Sequence, residues 1–190
     1  MTGNGVDPIN VPNALTLLRL GLIPVFVVVF AFGSSATLVV IAAFVFVVAS
    51  LTDWLDGYMA RRRQQVTDLG KLLDPIADKL LILAALVMLV EAGRAPGWLV
   101  ILILAREFAV TALRAVAAVG GRVLAAESMG KLKMVLQTAA VLILILEPVL
   151  PPGTHLVGFS LLLVATALAI LSASRYALQY GRSFRQEVVR

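Results

Sequence analysis

Between Asp53 and Lys79 the chain reads DWLDGYMARRRQQVTDLGKLLDPIADK, and its carboxylates are regularly spaced. Asp53 and Asp56 stand i, i+3, with Gly57 and Ala60 continuing the stripe, so on a helix both acids look out from one face. Gly70, Asp74 and Asp78 repeat at i, i+4, which gives the next helix its own acidic face. The polar connection between them is short, so the two helices form an antiparallel hairpin and their acidic ends converge. Four carboxylates brought together repel, and charges inside an apolar span are expensive, so a cation must neutralise them. Oxygen ligands without His or Cys select a hard divalent cation, Mg²⁺ or Mn²⁺ before Ca²⁺. Four such ligands can hold two ions, and a metal pair suits in-line displacement at phosphorus. Gly57 and Ala60 leave room for a bulky group against the helix, and Arg61 can meet a phosphate, which together suggest a nucleotide diphosphate. The competing readings are close helix packing at Gly57 and Ala60 and a solvated flank of a span for the aspartates. Arg62 and Arg63 read as orientation signals.

The elements that must position these residues are membrane helices. Of the 190 residues, 61% are hydrophobic and only 14% charged, which places the chain outside soluble globular composition. Six apolar stretches are long enough to cross a bilayer, at about 13–32, 36–60, 70–91, 97–119, 131–149 and 155–178. Segments rich in Gly and Pro separate them, such as Gly93 to Gly97 and Pro148 to Gly153. The expected fold is all-α: a polytopic bundle of six transmembrane helices forming a single domain over residues 1–190. The first stretch resembles a signal peptide in length, but no Lys or Arg precedes it and five more spans follow, so it is read as retained. There is no cysteine, which removes disulfides, thiolate metal sites and a cysteine nucleophile.

Basic residues set the orientation. Arg61, Arg62, Arg63 and Lys71 follow span two; Arg122, Lys131 and Lys133 follow span four; Arg182, Arg185 and Arg190 form the tail. The opposite loops carry only Arg94 as a firm positive charge, so both termini and the acidic cluster face the cytosol. A basic rim suits anionic lipid head groups and needs no nucleic-acid partner. His155 reads as an ordinary loop residue. Arg106 and Arg114 stand two helical turns apart on span four, with Lys131 opening span five, and cations at such depth usually face an anion. The alternative is that Glu107 or another acid pairs with one arginine for structure only.

Asp53-x-x-Asp56-Gly57-x-x-Ala60-Arg61, eight residues, then Gly70-x-x-x-Asp74-x-x-x-Asp78 resembles the signature of the CDP-alcohol phosphotransferases at every defined position. The resemblance implies a six-helix membrane enzyme, usually a homodimer, that displaces CMP from a CDP-linked lipid with an alcohol. It makes Asp53, Asp56, Asp74 and Asp78 the ligands of two Mg²⁺ or Mn²⁺ ions, with Asp78 also the general base. It places Gly57, Ala60, Arg61, Thr67 and Gly70 at the cytidine nucleotide and its diphosphate.

Three flanking segments resemble the phosphatidylglycerophosphate synthase branch: Asn10 to Arg19, Arg106 to Arg114, and Gly130 to Gln137, although Met134 stands where that branch usually has Thr. This implies CDP-diacylglycerol as donor and glycerol 3-phosphate as acceptor, its phosphate held by Arg106, Arg114 and Lys131. It also implies a bacterial inner or plasma membrane location. Other acceptors within the family are inositol phosphate, phosphatidylglycerol (the cardiolipin synthase reaction) and serine. A divalent-cation transporter is the rival from another class, but it would place acids in both halves of the membrane. A scaffold would have no use for converging acids.

Overall fold

The computed structural model describes residues 11–33, 35–63, 68–119 and 128–188. These form six α-helices and no strand: α1 Val11–Ala31, α2 Ala36–Arg63, α3 Asp68–Glu91, α4 Gly97–Val119, α5 Ser128–Leu146 and α6 Thr154–Val188, with a 3₁₀ turn at Glu147–Val149 after α5. The breaks fall at the expected residues. Gly93 (φ +71°) and Gly153 (φ +93°) take the left-handed conformation that a β-carbon disfavours. Ser35 caps α2, its Oγ accepting a hydrogen bond from the Leu38 amide at 3.3 Å.

Among the described residues two stretches are long and apolar enough to cross a membrane, Leu132–Val149 and Thr154–Arg175, and Thr16–Ala31 and Ala36–Thr52 are shorter apolar helices. The helices run further than hydropathy alone foretold. α2 continues through Arg61 to Arg63, and α6 continues ten residues past the expected 178.

The chain divides into two compact units. One comprises 1–91 with 145–151, and the other 92–144 with 152–190. In the first, α1 packs against α2 and α3. The buried positions follow the alternating three- and four-residue spacing of one helix face. On α2 they include Val39, Ala42, Phe46 and Ala49, with Ala43 and Thr52 beside them. On α3 they include Ala77, Leu81, Ala85 and Met88, with Leu86 and Leu89 beside them, and on α1 Thr16, Arg19 and Phe26. Phe26 meets the Phe46 ring at 5.9 Å, which sets the level of α1 against α2.

In the second unit α4 packs on α6. Leu99, Ile103, Val110 and Ala117 form the buried stripe of α4, and Leu162, Ala165, Ala169 and Ser172 that of α6. Gly158 brings α6 close to Leu144 at the end of α5: a β-carbon there would lie 2.9 Å from the Leu144 side chain.

Candidate active site

In the first unit each buried stripe changes character along its length. The apolar run of α2, 39–42–46–49, continues by the same spacing to Asp53, Asp56 and Ala60. The run of α3, read back from Met88 through Ala85 and Leu81, continues to Asp78, Asp74 and Gly70. By backbone register, the signature positions thus fall in line with the buried face of each helix. Only four residues separate the end of α2 at Arg63 from the start of α3 at Asp68, which holds those two ends within about 20 Å.

α1 changes character in the same direction. Phe26 lies against Phe46, and two turns on, seven residues along each antiparallel helix, lie Arg19 on α1 and Asp53 on α2. Arg19 and Thr16 are fully buried, at 0% exposure. Thr52, one residue before Asp53, is also buried and donates its hydroxyl to the Ala49 carbonyl at 2.7 Å. A fully buried arginine is costly unless an anion compensates it, and acidic positions on α2 at its level are of the right chemistry.

The side chains at 53–76 and at 78 lie outside the described residues, as does Thr67 entirely. Asp53, Asp56, Gly57, Ala60 and Arg61 are thus placed on the last turns of α2, and Gly70, Asp74 and Asp78 on the first turns of α3, by backbone alone. Among the described residues no three Asp, Glu or His side chains gather as a metal site. The donor set that fits a divalent cation is the four-aspartate one, all oxygen and all hard.

The second unit carries a separate cationic group. Arg106 falls within the buried stripe of α4, between Ile103 and Val110. Its Nε donates to the Ala169 carbonyl of α6 at 2.8 Å and its Nη1 to Glu107 Oε1 at 3.0 Å. Lys133 on α5 donates to the same Glu107 oxygen. Arg106 and Lys133 side chains are each 9% exposed, Glu107 25%. Gln137, one turn beyond Lys133, is also buried.

Of the three residues expected at an acceptor phosphate, Arg106 is in this group and Arg114, two turns on, is exposed. The Lys131 side chain lies outside the described residues. Sequence reading passed over Lys133, which it took for an orientation charge. The available signal was the i, i+4 pairing of Lys133 with Gln137 at the start of an apolar helix.

A family model for CDP-alcohol phosphatidyltransferase matches residues 9–172, spanning both units. The chain belongs to that family. Its relatives among CDP-alcohol phosphatidyltransferases include three proteins named CDP-diacylglycerol–glycerol-3-phosphate 3-phosphatidyltransferase. The protein from Bacillus subtilis (strain 168) is 47% identical over 149 residues, covering 73% of this chain and 77% of the relative. That from Rickettsia bellii (strain RML369-C) is 38% identical over 172 residues, covering 88% and 93%. That from Pseudomonas fluorescens is 39% identical over 174 residues, covering 88% of each. As in any CDP-alcohol phosphatidyltransferase, the signature marks this chain as an enzyme, and the match covers it from ahead of α1 into α6.

Proposed function

We propose that this enzyme transfers the phosphatidyl group of CDP-diacylglycerol to glycerol 3-phosphate, releasing CMP and forming phosphatidylglycerophosphate. The observation that carries this reading is the match along most of the chain to relatives named for that acceptor, beside which the largely buried side chains of Arg106 and Lys133 meet at Glu107. Arginine and lysine side chains at such burial suit an anionic acceptor better than a neutral one.

Asp53, Asp56, Asp74 and Asp78 hold Mg²⁺ or Mn²⁺, two ions by the number of ligands. When bound, the metal neutralises phosphate charge and steadies the attacking and leaving oxygens. Gly57, Ala60, Arg61, Thr67 and Gly70 receive the cytidine diphosphate portion of the donor. Arg106, Arg114 and Lys131 hold the acceptor phosphate. Asp78 takes the proton from the free primary hydroxyl of glycerol 3-phosphate. The resulting oxygen attacks the lipid-side phosphorus, a new P–O ester bond forms, and the bond to CMP breaks with its electron pair leaving on CMP. Positioning of the two substrates supplies much of the acceleration.

The helices form one membrane domain of six spans with both termini and the acidic ends in the cytosol, embedded in a bacterial inner or plasma membrane and working as a homodimer. The apolar exteriors support this reading: Phe44, Ile101 and Leu156 are each about two-thirds exposed. The deciding experiment is CMP release by purified enzyme from CDP-diacylglycerol with glycerol 3-phosphate, inositol phosphate, phosphatidylglycerol or serine as acceptor, with and without chelator. Glycerol 3-phosphate should be preferred and chelation should abolish release, with Mg²⁺ or Mn²⁺ restoring it. A neutral acceptor outrunning glycerol 3-phosphate would refute the assignment.

A further inference from the structure

We propose that Arg19 is a positioning residue for the metal ligands: from α1 it holds the carboxylate of Asp53, so that the acidic end of α2 is set for a divalent cation before one arrives. The inference rests on the four-aspartate metal reading above and adds to it a residue outside the signature.

α1 and α2 carry matching intervals. The two helices are antiparallel, and Phe26 and Phe46, with ring centroids 5.9 Å apart, fix their register. Seven residues along each helix from that contact, Arg19 stands level with Asp53; ten residues along, Thr16 stands level with Asp56. Among the described residues of α1, Thr16 and Arg19 are the buried polar ones, each at 0% exposure. The three-residue step between them thus repeats the step between the two aspartates.

A guanidinium at that burial calls for an anion, and the acids of the first unit crowd the same end of it. Asp53, Asp56, Asp68, Asp74 and Asp78 stand at the end of α2 and the start of α3, whereas Glu91 closes α3 at its other end. Carboxylates that converge to share cations repel until the metal is bound. An arginine level with Asp53 offsets part of that repulsion, and its planar fork fixes the plane of a carboxylate where a lysine would not. Thr52, next to Asp53, cannot substitute for it, because its hydroxyl donates to the Ala49 carbonyl at 2.7 Å. Groups that orient metal ligands in this way typically contribute about 10–100-fold to metal affinity.

The sign of one measurement separates positioning from plain electrostatics. Removing a positive charge beside a divalent cation should tighten its binding if charge alone matters. The experiment is Mn²⁺ binding to the full-length protein in detergent micelles without either substrate, read from the paramagnetic resonance of free Mn²⁺. Arg19→Met should weaken binding by about 10–100-fold, and Arg19→Lys, which keeps the charge without the fork, by a smaller factor. Unchanged or tighter binding in Arg19→Met would overturn the proposal. If Arg19→Met fails to fold, Arg19→Lys carries the test with the same two outcomes.

The pairing is read separately, by thermal unfolding in chelator of the parent, Arg19→Met, Asp53→Asn and the double variant. Each single change strands the other partner, so the double variant should lose much less than the sum of the two single losses. Simple addition of the two losses would overturn the pairing. Failure of the metal reading looks different, because the parent itself would then bind no Mn²⁺ while the non-additivity in chelator remained.

Discussion

Asp78 is asked to do two things that conflict. A carboxylate bound to a divalent cation is a poorer base, yet the proposed reaction needs it to accept a proton. Asp78→Asn separates the roles, since an amide keeps one oxygen for a metal but cannot take the proton at neutral pH. General-base catalysis typically supplies about 10²–10⁴ in rate, so CMP release should fall by that factor while nucleotide binding, read as thermal stabilisation by CDP-diacylglycerol, persists. Activity equal to the parent would remove the base assignment. Arg106 poses a question of shape. Lysine keeps the charge but cannot reach the Ala169 carbonyl and Glu107 with the planar fork that joins them now. A hydrogen bond to a charged group contributes about 1.5–3 kcal/mol, so Arg106→Lys should raise KM for glycerol 3-phosphate by roughly ten- to a hundredfold. An unchanged KM would mean that Arg106 serves packing alone.

At the scale of elements, helix approach is set by small residues, because apolar side chains gain little by leaving lipid for one another. Gly158 is where this can be tested. Any side chain there meets Leu144 and Ile143 at 3.0 Å or less, so Gly158→Val should lower stability by about 1–3 kcal/mol, measured by thermal unfolding in detergent. No shift would show that Leu144 simply swings aside. The helices themselves were legible in the sequence because Gly33, Pro96–Gly97 and Pro148 to Gly153 interrupt apolar runs of bilayer length. What hydropathy did not convey was where a helix continues after it turns polar. The ends of α2 and α6 are rich in Arg, and helical hydrogen bonding carries on regardless of polarity. That the aspartates stand on the facing ends of α2 and α3 was legible from spacing, since i, i+3 and i, i+4 intervals need no knowledge of partners. The meeting of Glu107 with Lys133 was not, because it joins residues on two helices across a connection whose path no local spacing encodes.

For the whole molecule the proposed topology has a direct test, since the chain has no cysteine of its own. Single cysteines at Ser35, Ala92 and Gln186 should divide by side: the first two should react with an impermeant maleimide on intact cells, the third only after permeabilisation. Labelling of all three in intact cells would refute cytosolic termini and with them the inner-face location of the acidic cluster.

α6 has a mechanical consequence. Its 35 residues make a rod of about 52 Å, against a hydrocarbon core of about 30 Å. In the proposed topology, with the apolar part Thr154–Arg175 in the hydrocarbon core, about 20 Å of unbroken helix would project beyond the bilayer. The same rod bears Ala169, whose carbonyl pins Arg106. Because helical hydrogen bonding runs without a break from Ala169 to Val188, that carbonyl and the polar end of α6 belong to one rigid element.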